Sequence, residues 1–390
     1  MSVALRLGYV PLLDAAPLIV AEAMGFAEEE GLHFDLHAAP SWASLRDMLA
    51  LGQVEAAHML APLPVAMALG LGRSPARFEA LSVLNLNGNV IGVSLDLAAR
   101  MRAAGHGFDF ADAYTAGRAL LAAARTLRIG VPFAFSMHRE LLQYWLGALG
   151  AEAALLDIRT VPPPLMAQAL AAGEIDAFCV GEPWGSVAVE TGAGVLLLPA
   201  AAIWASAPEK VLATRAGWAE AEPRMAGRLL RALWRAGRWL GDVGNHMVAS
   251  ELLTASGRLA VPSEVIERAL SGRLVISADG AERITKGLIR FHGGAAGFPW
   301  RSQAAWIGVA LARRHGLAVE AASTVAAGVF RADLYRTHLR AAGADLPSAS
   351  AKLEGALDAP TAVATERGSL ILPADRFFDA RIFDPSLPVC

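Results

Sequence analysis

The chain has 390 residues, enough for two to three domains at about 150 residues each. Its 55% apolar and 18% charged residues support a large buried core and exclude wholesale disorder. The 34 basic and 37 acidic residues leave a net charge of −3 with no long run of either sign, which removes the electrostatic case for a nucleic-acid or membrane-surface protein.

The first residues alternate like a strand at Leu5, Leu7 and Tyr9, with Arg6 the only early charge. A secretory leader needs a basic region, an apolar core and a small-residue cleavage site instead. No apolar run approaches the roughly 18–20 residues of a membrane span. The expectation is a cytoplasmic protein. Further strands are predicted at His33–His37, Ala56–Leu60, Ala80–Leu84, Leu127–Val131, Ile158–Val161, Ala177–Val180 and Gly194–Leu198. Helices are predicted at Pro17–Glu29, Trp42–Leu51, Leu63–Leu69, Met137–Leu149, Leu165–Ala172 and Gly185–Thr191. Between two such series, Leu95–Ala124 reads as a helical, glycine-punctuated connection. After Lys210 the pattern changes to long helices such as Arg224–Trp239. Two α/β lobes with a helical C-terminal third follow from this order.

Catalytic signatures are absent: no phosphate-binding glycine loop, no G-x-S-x-G and no H-E-x-x-H occurs. The nine histidines are scattered. His33 and His37 read as one strand face, and Glu28-Glu29-Glu30 as a solvated helix end. Cys179 reads as a packed thiol, and with Cys390 it makes neither a disulfide framework nor a cysteine zinc site.

Four strand-to-helix junctions carry more information. Ser41 is an N-cap candidate ahead of Trp42, and Ser136 is another, with His138 two residues on. Pro62 and Pro64 open a third helix where missing N–H groups do no harm. Gly181-Glu182-Pro183-Trp184 forms the fourth. Such loops gather at the carboxyl ends of strands in α/β sheets, where helix N-termini suit a small anion. Each residue also has an ordinary structural explanation: Trp42 as packing, His138 as a satisfied helix-end histidine, Lys210 as a surface lysine. Lys210 gains weight because only Lys210, Lys286 and Lys352 among the 34 basic residues are lysines.

These junctions carry a family resemblance. Gly8-Tyr9-Val10-Pro11-Leu12-Leu13-Asp14, Ser41-Trp42, Met59-Leu60-Ala61-Pro62-Leu63-Pro64, Asn85-Leu86-Asn87-Gly88-Asn89, Val161-Pro162-Pro163-Pro164, Phe178-Cys179-Val180-Gly181-Glu182-Pro183-Trp184, Pro208-Glu209-Lys210-Val211-Leu212 and Ala374-Asp375-Arg376-Phe377-Phe378-Asp379 resemble the substrate-binding proteins of nitrate and bicarbonate ABC transporters, the NrtA/CmpA type. The resemblance implies a periplasmic-binding-protein-like (type II) α/β fold. Lobe 1 would take residues 1–93, lobe 2 residues 94–208, and residues 209–390 would return to lobe 1 and add the helical region.

It further implies ligand contacts at Trp42, Asn89, His138, Gly181 and Lys210. Asn89 stands where such proteins often carry glutamine. Lysine at position 210 resembles nitrate binders, whereas bicarbonate binders carry an acidic residue there and bring calcium; a carboxylate facing an anion needs a metal to bridge it. Nitrate or nitrite, with no metal or cofactor, is therefore expected, neutralised by one lysine among neutral donors. The early start of the Gly-Tyr-Val-Pro-Leu strand resembles the cytosolic NasS-type nitrate/nitrite sensors. In that family the empty sensor holds an RNA-binding ANTAR-type antiterminator (NasT-like) and ligand releases it, so nucleic acid is the partner's concern. A transporter's substrate-binding component and, on the same scaffold, an enzyme like thiamine-precursor pyrimidine synthase are the alternatives.

Overall fold

A computed structural model describes residues 2–72, 75–152, 155–344 and 346–387. Two sheets carry the fold. The first runs, in spatial order, Ile289–Arg290, Phe78–Asn87, Pro208–Arg215, Ala56–Leu60, Val3–Tyr9 and Leu32–Ala38. The second runs Leu156–Thr160, Leu127–Val131, Ala177–Gly181, Asn89–Ser94 and Gly194–Pro199. Val3–Tyr9 and Leu127–Val131 are parallel to both of their neighbours, as strand–helix–strand units require. Pro208–Arg215 and Asn89–Ser94 are antiparallel to both of theirs.

Those two antiparallel strands exist because the chain crosses between the lobes. Phe78–Asn87 lies in the first sheet and Asn89–Ser94 in the second, with only Gly88 between them. Gly88 has φ +104°, a conformation side chains avoid. The return crossing follows Gly194–Pro199 and enters Pro208–Arg215. The two crossings are tied together: the Asn87 N–H donates to Ala207 O at 2.9 Å and Asn87 Nδ2 to Ala205 O at 2.8 Å.

Most predicted elements stand close to their expected bounds, with three corrections. The helix expected over Pro17–Glu29 breaks at Gly25, which takes a left-handed φ of +77°, into Ala16–Ala23 and Phe26–Glu29. Asn89–Ser94 and Pro208–Arg215 had no expected strand, because Asn89, Gly92 and Ser94 break up the first apolar run and Pro208, Glu209 and Lys210 open the second with turn-like residues. The region after Lys210 is also not helical throughout: it adds the hairpins Arg273–Val275/Glu282–Ile284 and Thr361–Thr365/Gly368–Leu372.

The C-terminal region braces the return crossing. The Phe377 ring stacks on Trp204 at 4.7 Å between centroids, and Trp204 Nε1 donates to Asp375 Oδ1 at 2.8 Å. Lys352 pairs with both Glu354 and Asp375. Pro223–Leu240 buries Leu229, Leu230 and Leu233 on its inner face. Among the described residues no helix is long and apolar enough to cross a membrane.

Candidate functional site

The five residues expected at a site lie in different elements and meet between the lobes. Ser41 Oγ accepts from Ser44 N at 3.1 Å, capping the helix Trp42–Ala50 and setting Trp42 in its first turn. Ser136 Oγ likewise accepts from Arg139 N at 3.3 Å and places His138 in the first turn of Met137–Ala148. Asn89 opens its strand directly opposite Gly181, which ends the neighbouring strand. Lys210 lies in Pro208–Arg215, between Leu60 and Asn85 of the flanking strands.

Burial is nearly complete: Lys210 and His138 are 0% exposed, Asn89 1% and Trp42 2%. Lys210 is therefore not a surface lysine, because the strand around it runs through the middle of its sheet. The lobes meet directly over this cluster. Leu13 N donates to Glu182 O at 3.1 Å, and Trp184 Nε1 to Pro11 O at 3.4 Å. Gly181 sits where a Cβ would come within 2.9 Å of Leu12 Cδ2 and 3.5 Å of Asn89 Oδ1, so an added methyl there makes the Leu12 side chain shift.

Two partners of Lys210, and the histidine behind one of them, escaped the sequence analysis. Lys210 Nζ lies 2.6 Å from Asp14 Oδ2 and 2.8 Å from Glu209 Oε1. His58 Nε2 lies 2.9 Å from the other Asp14 oxygen. Asn89 Nδ2 donates to Glu209 Oε2 at 2.6 Å, and His138 Nδ1 is 3.3 Å from Glu209 Oε1. The Trp42 ring lies 5.6 Å from His58, with Lys210 Nζ 5.4 Å from its centroid.

A strand normally sends consecutive side chains to opposite faces, which hides a Glu209–Lys210 contact from sequence. The register with Phe78–Asn87 shifts on both sides of Lys210, and the bulge brings the two side chains together. Asp14 and His58 did leave a signal. Each is an ionisable residue inside an otherwise apolar, buried stretch, and such residues are rarely buried without a partner.

Charge is the main correction to the sequence expectation. One lysine among neutral donors was expected, but the ammonium already faces two carboxylates. Burial works to raise the Asp14 carboxyl, yet Lys210 and His58 outweigh it and hold the group well below its ordinary range. Burial pushes Glu209 up despite Lys210 beside it. It also drives His138 well below the ordinary histidine value, with Lys210 adding to the effect, so the imidazole is neutral. The Lys210 ammonium is held charged by Asp14 and Glu209 against its own burial.

Several polar atoms in this cluster have no hydrogen-bond partner although buried: Trp42 Nε1, His138 Nε2 and Asn89 Oδ1. Buried donors left unsatisfied are costly, and an anion's oxygens would satisfy Trp42 Nε1 and, when protonated, His138 Nε2. Among the described residues, no group of three His, Cys, Asp or Glu side chains is placed to hold a metal. Lys210 instead occupies the point where the carboxylates converge. Cys179 is fully buried, and burial raises its thiol well above the ordinary value, so it packs rather than reacts. Cys390 lies outside the described residues.

Two α/β lobes, crossed twice by the chain and closed over a buried polar cluster, define a periplasmic-binding-protein-like molecule. The chain belongs to the NMT1-like family, whose profile matches residues 2–254. Over nearly all of its length it resembles the crystal structure of the periplasmic nitrate-binding protein NrtA from Synechocystis PCC 6803. That likeness has a TM-score of 0.84 and 26% identity, over 98% of this chain and 96% of that one. It is 27% identical over 391 residues to the nitrate/nitrite binding protein NrtA of Nostoc sp., covering 98% of this chain and 83% of that protein. The nitrate import ATP-binding protein NrtC of Synechocystis sp. is 31% identical over 317 residues, or 79% of this chain and 46% of that protein. The chain thus spans about half the length of such ATP-binding relatives.

Proposed function

We propose that this chain is a nitrate/nitrite-binding protein whose ligand sits between the lobes, held by Trp42, Asn89, His138, Gly181 and Lys210. The observation that carries the proposal is the convergence of these residues on one fully buried lysine, with the N–H of Trp42 left free. Nitrate is planar, singly charged and a weak acceptor. A closed site whose one ammonium already faces Asp14 and Glu209, with the Trp42 N–H as a free donor, can take at most a singly charged anion, and a dianion would meet far too little positive charge. The likeness to NrtA supports the same choice. Closure around the ligand would shift a two-state equilibrium between open and closed lobes through the paired crossings.

For the role this binding serves, the proposal follows the sequence resemblance. The chain acts in the cytoplasm as a nitrate/nitrite-responsive regulator that holds an ANTAR-type antiterminator when empty and releases it when filled. Ligand achieves this only by binding the free form more tightly than the complexed one. Service as the binding component of a nitrate transporter is the second reading, favoured by the likeness to a nitrate import ATP-binding protein and to a nitrate/nitrite binding protein. No catalytic step is proposed. Isothermal titration with nitrate and nitrite tests the binding. Co-purification with an antiterminator, with and without nitrate, separates the two roles: a nitrate-dissociated complex supports the regulator, and no complex in either condition removes it.

A further inference from the structure

The charges around Lys210 do not balance for a bound anion. Without ligand, the buried cluster holds one ammonium (Lys210) against two carboxylates, Asp14 and Glu209, at 2.6 and 2.8 Å. Adding nitrate would bury three negative charges around one positive one, and uncompensated buried charge is strongly disfavoured. The arrangement of Glu209 and His138 offers a remedy. His138 Nδ1 lies 3.3 Å from Glu209 Oε1, within ion-pair range but without hydrogen-bond geometry, and its Nε2 is buried with no partner.

We infer that a monovalent anion enters this site together with one proton, held by the Glu209–His138 pair, while Asp14 remains the fixed counter-ion of Lys210. The inference rests on the anion-binding function proposed above. The proton comes from solvent, and no covalent bond among heavy atoms changes. With the proton on His138, both ring nitrogens carry hydrogen: Nδ1–H faces Glu209 and Nε2–H is free to donate to the anion. Without it, a neutral ring that donates from Nδ1 presents a lone pair at Nε2, which repels an anion. Burial raises Glu209, which makes this carboxylate a ready acceptor for a proton, and opposes a charge on His138, so the bound anion supplies the drive for taking the proton up.

The other ionisable groups facing the pair do not take this role. Lys210 and Asp14 form a strong ion pair and keep their charges. His58 is turned to Asp14 from the strand Ala56–Leu60. Cys179, on the strand Ala177–Gly181, is a neutral thiol. Glu182, at the following turn, accepts from Ser186 N at 3.2 Å instead.

Calorimetric titration of the whole chain with nitrate at pH 8.5, in two buffers of different ionisation heat, reads the proton directly. Uptake near one proton per nitrate is expected, with affinity falling about tenfold per pH unit between pH 7.5 and 9. The Glu209→Gln variant carries the charge of the protonated pair, so it should bind nitrate with less than threefold change over the same range and no proton uptake. Nitrate binding by the unaltered chain with pH-independent affinity and no proton uptake overturns the inference while leaving the binding function in place. So does a Gln variant that keeps the full slope. No binding at any pH from 5 to 9 removes the binding function and the inference with it. If Glu209→Gln fails to fold, the two-buffer measurement on the unaltered chain decides alone.

Discussion

Lys210 Nζ and Asp14 Oδ2 stand 2.6 Å apart with both side chains buried, one on the strand Pro208–Arg215 and the other in the turn after the first strand. The pair joins segments almost two hundred residues apart in sequence, and neither charge reaches water. Removing one partner leaves the other buried and uncompensated, which costs far more than the pair itself contributes.

Lys210→Met is accordingly expected to lower stability by about 3–5 kcal/mol. Asp14→Asn should also destabilise, and the double variant should lose less than the sum of the two by at least about 1 kcal/mol. Urea unfolding of the four proteins measures this; strictly additive losses would show that the pair is energetically uncoupled. Lys210→Glu should be worse than either, because it sets a third carboxylate beside Asp14 and Glu209.

Trp42 offers a cleaner probe of binding. Its indole N–H is buried without a partner, so Trp42→Phe removes a donor while keeping most of the ring's packing. A hydrogen bond to a charged group contributes roughly 1.5–3 kcal/mol, so nitrate affinity should fall about ten- to hundredfold. Unchanged affinity by calorimetry would take Trp42 out of the site.

Gly181 tests whether lobe closure and binding are linked. A methyl there would come within 2.9 Å of Leu12 Cδ2, on the opposing lobe. Gly181→Ala should weaken nitrate binding at least about fivefold, equivalent to about 1 kcal/mol. Equal affinity in calorimetry would mean that Leu12 yields freely and that close approach at Gly181 is dispensable.

Glu182 governs part of the pH dependence of stability. Burial raises its carboxyl from 4.5 to about 7, with Ser186 opposing. A carboxyl raised in the folded state contributes stability that is full below its unfolded value, near 4.5, and is lost as pH rises through about 7. Glu182→Gln should therefore stabilise the protein at pH 8 relative to pH 4.5, by about 2–3 kcal/mol more than in the unaltered chain. Urea midpoints at the two pH values check this. An identical pH dependence in both proteins would contradict it.

The strand–helix units were legible because their signals are local. Ser41 and Ser136 announce helix starts, and Leu127–Val131 or Ala56–Leu60 are short apolar runs with turns at both ends. The crossing strands were not, since Asn89, Gly92 and Ser94 break up one apolar run and Pro208, Glu209 and Lys210 open the other with turn-like residues. For the site, Trp42, His138 and Lys210 drew attention by residue type and position, and the family resemblance added Asn89 and Gly181. What no local rule supplies is the charge environment. Glu209 joins Lys210 only through a bulge, and Asp14 reaches it only through the sheet's strand order. The cluster's excess negative charge thus belongs to the tertiary structure.

Isothermal titration with nitrate, with nitrite, and with bicarbonate plus calcium tests the central claim most directly. Saturable binding of nitrate or nitrite at one site, without a metal and with no heat from bicarbonate and calcium, is the predicted result. Saturable, calcium-dependent binding of bicarbonate with none of nitrate or nitrite would contradict it.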